Sequence, residues 1–397
     1  MPYEPLRNDN MKMTLRDWRE ALESPPSYRI GKRNVRIQTK YIMLPKPSPN
    51  DKYINYNSFT LPKPSMQVGY NSVYKEFSYK QYNNTYPLTR PIRTAKGLTF
   101  RIAMISDLDI DSKSKLEPDV WFSYLQKGYL EWNPSLNSVY VTWDKSTVQL
   151  KSSLSQGGRG MELSELLVFN GKLYTLDDRT GVVYEIIKND VVPWVILPDG
   201  DGKTRKTFKS EWASVKDQTL IVGGFGKEWT NSAGKVLNYN PQWIKKVTVN
   251  GEVTHKNWRE NYLALLKAVG ISYPGYMIHE SGVWSDIHKK WFFLPRRCSK
   301  EVYREETDEL MGTNLLITCD ENFKNIKVLK IGDVYPSHGF SSFKFIPGSE
   351  DEVIIAIKSE ELKGSVSSYA MAFKINGKIL MPETKIGDIK FEGIEFI

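Results

Sequence analysis

The sequence predicts an all-β protein, a five-bladed β-propeller, and three observations carry that prediction. Short apolar strands that open on an acid or a serine recur from Glu165 to the C-terminus. Tight polar turns follow them. The stretch GRGMELSELLVFNGKLYTLDDRTGVVYEII (158–187) holds an apolar run, an Asn170-Gly171 turn, a second strand, a polar turn and a third strand, which is most of one antiparallel blade. Finally, the chain stops on EGIEFI, a lone strand with no blade of its own.

The openers are Glu165, Glu211, Glu280, Ser341 and Glu392, spaced by 46, 69, 61 and 51 residues. Periods of roughly 40–50 residues with four short strands each are the spacing of propeller blades. Longer intervals carry insertions, and the longest holds the one clear helical stretch of this region, NWRENYLALLKAVG. Five openers give five blades. Because EGIEFI can supply only an innermost strand, strands from residue 98 onward must complete its blade, which removes the open seam of the ring. An open β-sandwich is the competing arrangement.

Residues 1–98, rich in Pro, Tyr, Asn and basic side chains, read as a largely disordered tail and linker, with MTLRDWREALES as its only plausible helix. The propeller domain is expected over 99–397. LTFRIAMISDLD is a strand that runs into a loop at Asp107 and Asp109, and DVWFSYLQKGYLEW and NSVYVTWDK continue its sheet. After the first complete blade, VVPWVILPDGDGK gives a strand and a turn. EWASVKDQTLIVGGFGKEW, ESGVWSDIHKKWFFLPRR and HGFSSFKFIPGSEDEVIIAIKSE then start the later blades.

Composition excludes several function classes. The net charge of +9 lies in the first 100 residues, which hold 17 Lys and Arg against 7 acids and leave 38 against 39 for the rest, so the folded part is no phosphate-backbone binder. No nucleic acid partner is expected. No stretch is apolar enough to span a bilayer, and the N-terminus MPYEPLRNDNMKMTLRDWRE reads as neither signal peptide nor anchor. Cys298 and Cys319 fall at opposite ends of a predicted strand pair and should be free thiols without zinc spacing.

In a propeller the first strand of each blade lines the central channel, so the openers converge. Carboxylates crowded there repel and lose hydration unless a cation joins them. Calcium, which takes 6–8 oxygen ligands in loose geometry, is the expected ion. Four glutamates around one Ca²⁺ would be too many charges, so at least one, Glu165 first, is expected to bind through its backbone oxygen or to point away. Arg159, Arg296 and Arg297 stand near the openers, and guanidinium forks suit phosphate oxygens. Acids, calcium and arginine together equip a phosphoanhydride hydrolase in which Asp107 or Asp109 handles the attacking water. GGFGKEW is not a Walker loop, since Glu228 stands where Ser or Thr must be, and no GxSxG elbow occurs.

The segments YNNTYPL, ISDLD, WFSYLQKGYL, GRGMELSELLVFNGKLYTLDDRTGVVY, PWVILPDGDG, GGFGKEWT, PGYMIHES, WFFLPRR, HGFSSFKFIP and ETKIGDIKFEGIEFI resemble the calcium-activated nucleotidases, the apyrase family, over Tyr82–Ile397. The resemblance implies a five-bladed propeller with one Ca²⁺ in its channel that hydrolyses nucleoside di- and triphosphates, with UDP and GDP favoured in the vertebrate type. It carries the calcium ligands onto Ser164, Glu165, Glu211, Glu280, Ser341 and Glu392. Glu165 departs from the aspartate of the vertebrate-type motif. Asp107 and Asp109 are the expected catalytic residues, and Arg159, Glu162 and Arg296 the expected substrate contacts. The family lives in the endoplasmic reticulum, the Golgi or outside the cell, and the sequon Asn83-Asn84-Thr85 agrees with a glycoprotein of that setting. Homodimer formation is left open. The main alternative is a non-catalytic, calcium-stabilised propeller that binds a protein partner.

Overall fold

A computed structural model describes residues 81–397 apart from 96, 232 and 233. Up to residue 80 the expected tail, with its short helix, lies outside the described residues.

Five antiparallel sheets, four of four strands and one of five, form the blades. Blade 1 joins β2 (Gly97–Ser106), β3 (Trp121–Asn133) and β4 (Ser138–Ser152) to the C-terminal β23 (Phe391–Phe396), and the short β1 (Ile92–Thr94) adds to the far end of β2. Blade 2 contains β5 (Leu163–Phe169), β6 (Lys172–Asp177), β7 (Val182–Ile187) and β8 (Asp190–Ile196). Blade 3 is β9 (Trp212–Lys216), β10 (Thr219–Gly223), β13 (Trp243–Val247) and β14 (Val253–Asn257). Its insertion is a two-stranded ribbon of β11 (Trp229–Thr230) and β12 (Val236–Asn238), and helix α1 (Arg259–Ala268) follows the blade. Blade 4 comprises β15 (Tyr276–Ser285), β16 (Lys290–Ser299), β17 (Leu315–Asp320) and β18 (Lys327–Lys330), with the one-turn helix α2 (Glu305–Asp308) inserted. Blade 5 is β19 (His338–Phe345), β20 (Val353–Leu362), β21 (Ser365–Lys374) and β22 (Ile379–Gly387).

The five blades and the seam-closing C-terminal strand follow the expectation from sequence. Near the axis each sheet is covered on both faces, so inner strands carry apolar side chains on both. On β2, Phe100, Ile102 and Met104 pack toward blade 5, whereas Ala103 and Ile105 pack toward blade 2. Five separate apolar clusters fill the five gaps between neighbouring blades. At the turn predicted from Asn-Gly, Asn170 and Gly171 take φ of 50° and 68°, the geometry of a two-residue hairpin loop. Both cysteines are free, and Cys319 pairs with Trp291, at the far end of β16 from Cys298.

The innermost strands run β23, β5, β9, β15, β19 around the axis, each packed on the next. Their close approach leaves no space for a side chain at Gly393, where a Cβ would stand 2.4 Å from the Leu166 nitrogen and 2.7 Å from the Glu165 carbonyl carbon. Gly393→Ala is therefore expected to destabilise the ring by about 1–3 kcal/mol, the usual range for overpacking, as a lower urea midpoint with unchanged m-value.

Candidate active site and metal centre

Glu165, Glu280, Ser341 and Glu392 lie within innermost strands, and Glu211 immediately precedes one, so all five openers reach the channel wall. At one end the channel widens into a cavity of about 540 Å³. Nine of the residues singled out from sequence line it: Asp107, Asp109, Arg159, Glu162, Glu211, Glu280, Arg296, Arg297 and Glu392. Ser164, Glu165 and Ser341 do not.

Deep in this cavity Glu211, Glu280 and Glu392 come together from three blades. Burial pushes the Glu211 carboxyl up to about 8, with the charge of Glu280 adding to the effect. Burial likewise raises Glu280 and, more strongly, Glu392, which also feels Glu280 and Asp107. Internal cations offset part of this repulsion. Nη1 of Arg296 lies 2.5 Å from Glu280 and 3.4 Å from Glu392, while its Nη2 reaches Glu361 at 2.7 Å. Lys390 bridges Asp107 (2.8 Å), Asp109 (2.9 Å), Glu361 (3.0 Å) and Glu392 (3.5 Å). Lys209 pairs with Asp178 and lies 2.8 Å from Glu211.

The balance remains negative. Eleven carboxylates line the cavity against seven Lys and Arg side chains, so it has the capacity for a divalent cation. With no His or Cys among the lining residues, the donors are hard oxygens, which fits calcium rather than a softer metal. The hydroxyls of Ser164 and Ser341 are turned into the ring, donating to the carbonyls of Ser210 (2.7 Å) and Phe391 (3.2 Å), and so tie neighbouring blades together. The Glu165 side chain also faces elsewhere. Its Oε1 accepts from the Leu166 nitrogen (2.9 Å) and Ser342 (2.8 Å) and lies 3.1 Å from the ammonium of Lys344. Its backbone oxygen accepts from Thr175 at 2.8 Å.

Nearer the mouth, Asp107, Asp109 and Glu162 bring carboxylate oxygens within 4.8 Å of one another. Strand β2 ends at Ser106, and Asp109 turns out of it at φ 49°, its nitrogen donating to Asp107 Oδ1 at 2.8 Å. Burial opposes ionisation of Asp107, but Lys390 outweighs it and holds this carboxyl below its ordinary range. Asp109, with a side chain 47% exposed, faces the cavity. Arg159 grips Glu162 as a fork, Nε to Oε1 at 2.7 Å and Nη2 to Oε2 at 2.5 Å. Burial still lifts Glu162 to about 7.

The loop that carries this pair is held from below. Met161, at φ 56°, donates its nitrogen to the buried Asp177 at 2.8 Å, and a Cβ on Gly160 would stand 2.4 Å from the Leu154 oxygen.

Sequence reasoning missed Lys209, Lys390, Asp178 and Glu361. A signal for the lysines was present: Lys209 and Lys390 each stand two residues before an opener, in KSE and KFE, and side chains two apart share one face of a strand. Asp178 and Glu361 arrive from hairpin ends on β6 and β20, whose approach to the axis no local pattern reports. His279, adjacent to Glu280 in the chain, is fully buried between the rings of Tyr262 and Phe293.

The apyrase family model matches residues 108–397. Soluble calcium-activated nucleotidase 1 of Rattus norvegicus is 53% identical over 335 residues, covering 84% of this chain and 83% of that protein. An apyrase of Cimex lectularius is 47% identical, covering 79% and 87%, and one of Caenorhabditis elegans 46% identical, covering 75% and 84%. An all-β ring with an acid-rich, oxygen-only cavity on its axis, matched along most of its length to such relatives, places the chain in the apyrase family of nucleotide-hydrolysing enzymes.

Proposed function

We propose that this protein is a calcium-dependent nucleoside diphosphatase that prefers UDP and GDP, acts more weakly on triphosphates, and releases orthophosphate by direct attack of water. The observation that carries the proposal is the meeting of Glu211, Glu280 and Glu392 beside Arg159, Lys209, Arg296 and Lys390 in one cavity. Three carboxylates from separate blades are the hard donors of the cation, with Ser164 and Ser341 next to them on the inner strands. Glu165, its side chain committed to Lys344, contributes no carboxylate.

Calcium, when bound, neutralises charge on the phosphate chain. Arg159 and Arg296 take phosphate oxygens as planar forks. Asp109 accepts the proton of the attacking water, because it is the more exposed member of its pair, while Asp107 and Lys390 fix its position. The Rattus norvegicus relative is named a soluble nucleotidase, and Asn83 and Thr85 of the sequon are exposed, which supports a lumenal or secreted setting.

The test is phosphate release from UDP, GDP, ADP and ATP with calcium and with chelator. Release from UDP and GDP that chelator abolishes is the expected result. Equal, negligible release in both conditions would overturn the proposal in favour of a calcium-stabilised binding module.

A further inference from the structure

Of the seven Lys and Arg side chains that line the cavity, six are committed. Arg159, Lys209, Arg296 and Lys390 pair with the carboxylates described above, Arg297 donates to the Ser337 carbonyl at 3.2 Å, and Lys227 donates to the Glu228 carbonyl at 2.8 Å. The seventh is Arg179, whose guanidinium has no hydrogen-bond or ionic partner among the described residues. Its neighbour Asp178 is taken by Lys209.

The backbone beneath this free side chain is held on both sides. The Arg179 nitrogen donates to Asp177 Oδ1 at 2.9 Å, and its carbonyl lies 3.1 Å from the Thr207 hydroxyl. The Gly181 nitrogen closes the turn onto the Asp177 carbonyl at 2.9 Å. A fixed backbone thus presents an exposed cationic fork to the cavity. Lys206, laid over the Trp229 ring at 3.4 Å, adds positive charge there without a carboxylate partner among the described residues. Loss of hydration first, and then the charges of Lys209 and Arg179, act to lower Lys206 against the pull of Asp199, so the three cations lie close enough to feel one another.

We propose that Arg179 receives the additional phosphate of a nucleoside triphosphate and so sets the ratio of triphosphate to diphosphate hydrolysis. The inference rests on the functional reading above. With the terminal phosphate at the deep carboxylate cluster in both substrates, a diphosphate chain is spanned by the buried cations. A triphosphate has one more charged group, which lies one phosphate further toward the mouth. Every deeper cation is already neutralised by a carboxylate or bonded to a backbone carbonyl, so Arg179 can take that group without breaking an existing pair. An exposed arginine that is merely solvated predicts no such selectivity.

The test compares kcat and KM for UDP and UTP, at fixed free calcium, in the parent chain, Arg179→Ala and Arg179→Lys. For UTP, kcat/KM of the alanine variant should fall about tenfold or more, mainly through KM, with a loss of no more than about threefold for UDP. Lysine should recover part of the loss, since it keeps the charge without the fork. Proportional losses for both nucleotides, or no loss for UTP, overturn the proposal. If the parent releases phosphate from neither nucleotide, the functional reading itself has failed. Calorimetric titration with methylene-bridged analogues of UDP and UTP then reads the selectivity ratio without turnover, and an unchanged ratio overturns the inference. The Arg179 side chain makes no contact the fold depends on, so equal melting temperatures confirm that the variants are folded.

Discussion

Arg296→Met should lower kcat/KM for UDP by about a hundredfold to a thousandfold, the loss typical for removal of one preorganised charge that faces a reacting phosphate or oxyanion. The guanidinium is 4% exposed and meets Glu280, Glu361, Glu392 and Ser359 at once. Removing it leaves three carboxylates without their shared partner, and breaking a buried pair from one side destabilises by about 3–5 kcal/mol. Two measurements separate the effects. Urea denaturation reads the stability loss, and kinetics at a temperature where circular dichroism shows the variant folded reads the catalytic one. Arg296→Lys keeps a charge but not the fork, so it should recover more stability than activity. Full activity in folded Arg296→Met would remove this residue from the phosphate site.

Glu211→Gln and Glu392→Gln should each shift calcium activation to higher concentration by about tenfold to a hundredfold, because calcium affinity follows the number of charged oxygen ligands. Both side chains are buried, at 3% and 4% exposure, and crowded by other acids. In chelator, therefore, the neutral amide should leave the fold no less stable than the parent. The two readouts move in opposite directions for a metal ligand. A mere structural strand end would lose stability and keep its calcium response. The rise in melting temperature on adding calcium, which reports binding to the native state, should shrink in both variants. An unchanged calcium titration in both would move the metal site elsewhere.

Much of this cavity was legible in the chain because a propeller turns a linear repeat into convergence on an axis. Glu211, Glu280 and Glu392 could be named from spacing alone, since residues at matching positions of successive inner strands must approach one another. Asp107 and Asp109 were visible as acids at a strand end, and Arg159 and Glu162 by their place just before an opener. The same reasoning reached its limit at Glu165. Spacing marks the residue as an opener, but only the packed strands reveal whether its carboxylate turns to the cavity or to Lys344.

The number of blades, the Asn170-Gly171 hairpin, the helix of the longest interval and the closure of the ring by the last strand were all legible along the chain. Those features depend on local periodicity, turn chemistry and repeat length, all of which are written along one dimension. Which cations answer which acids was set by the three-dimensional packing of the blades. Lys390 meets Asp107 across 283 positions, and Arg296 meets Glu392 across 96. Such pairs form because five inner strands share one narrow axis, where a charge must find its counter-ion among whatever the other blades present. By the same logic Arg179 was invisible in the sequence: what sets it apart is that its guanidinium has no partner among the described residues, in a cavity where every other cation has one.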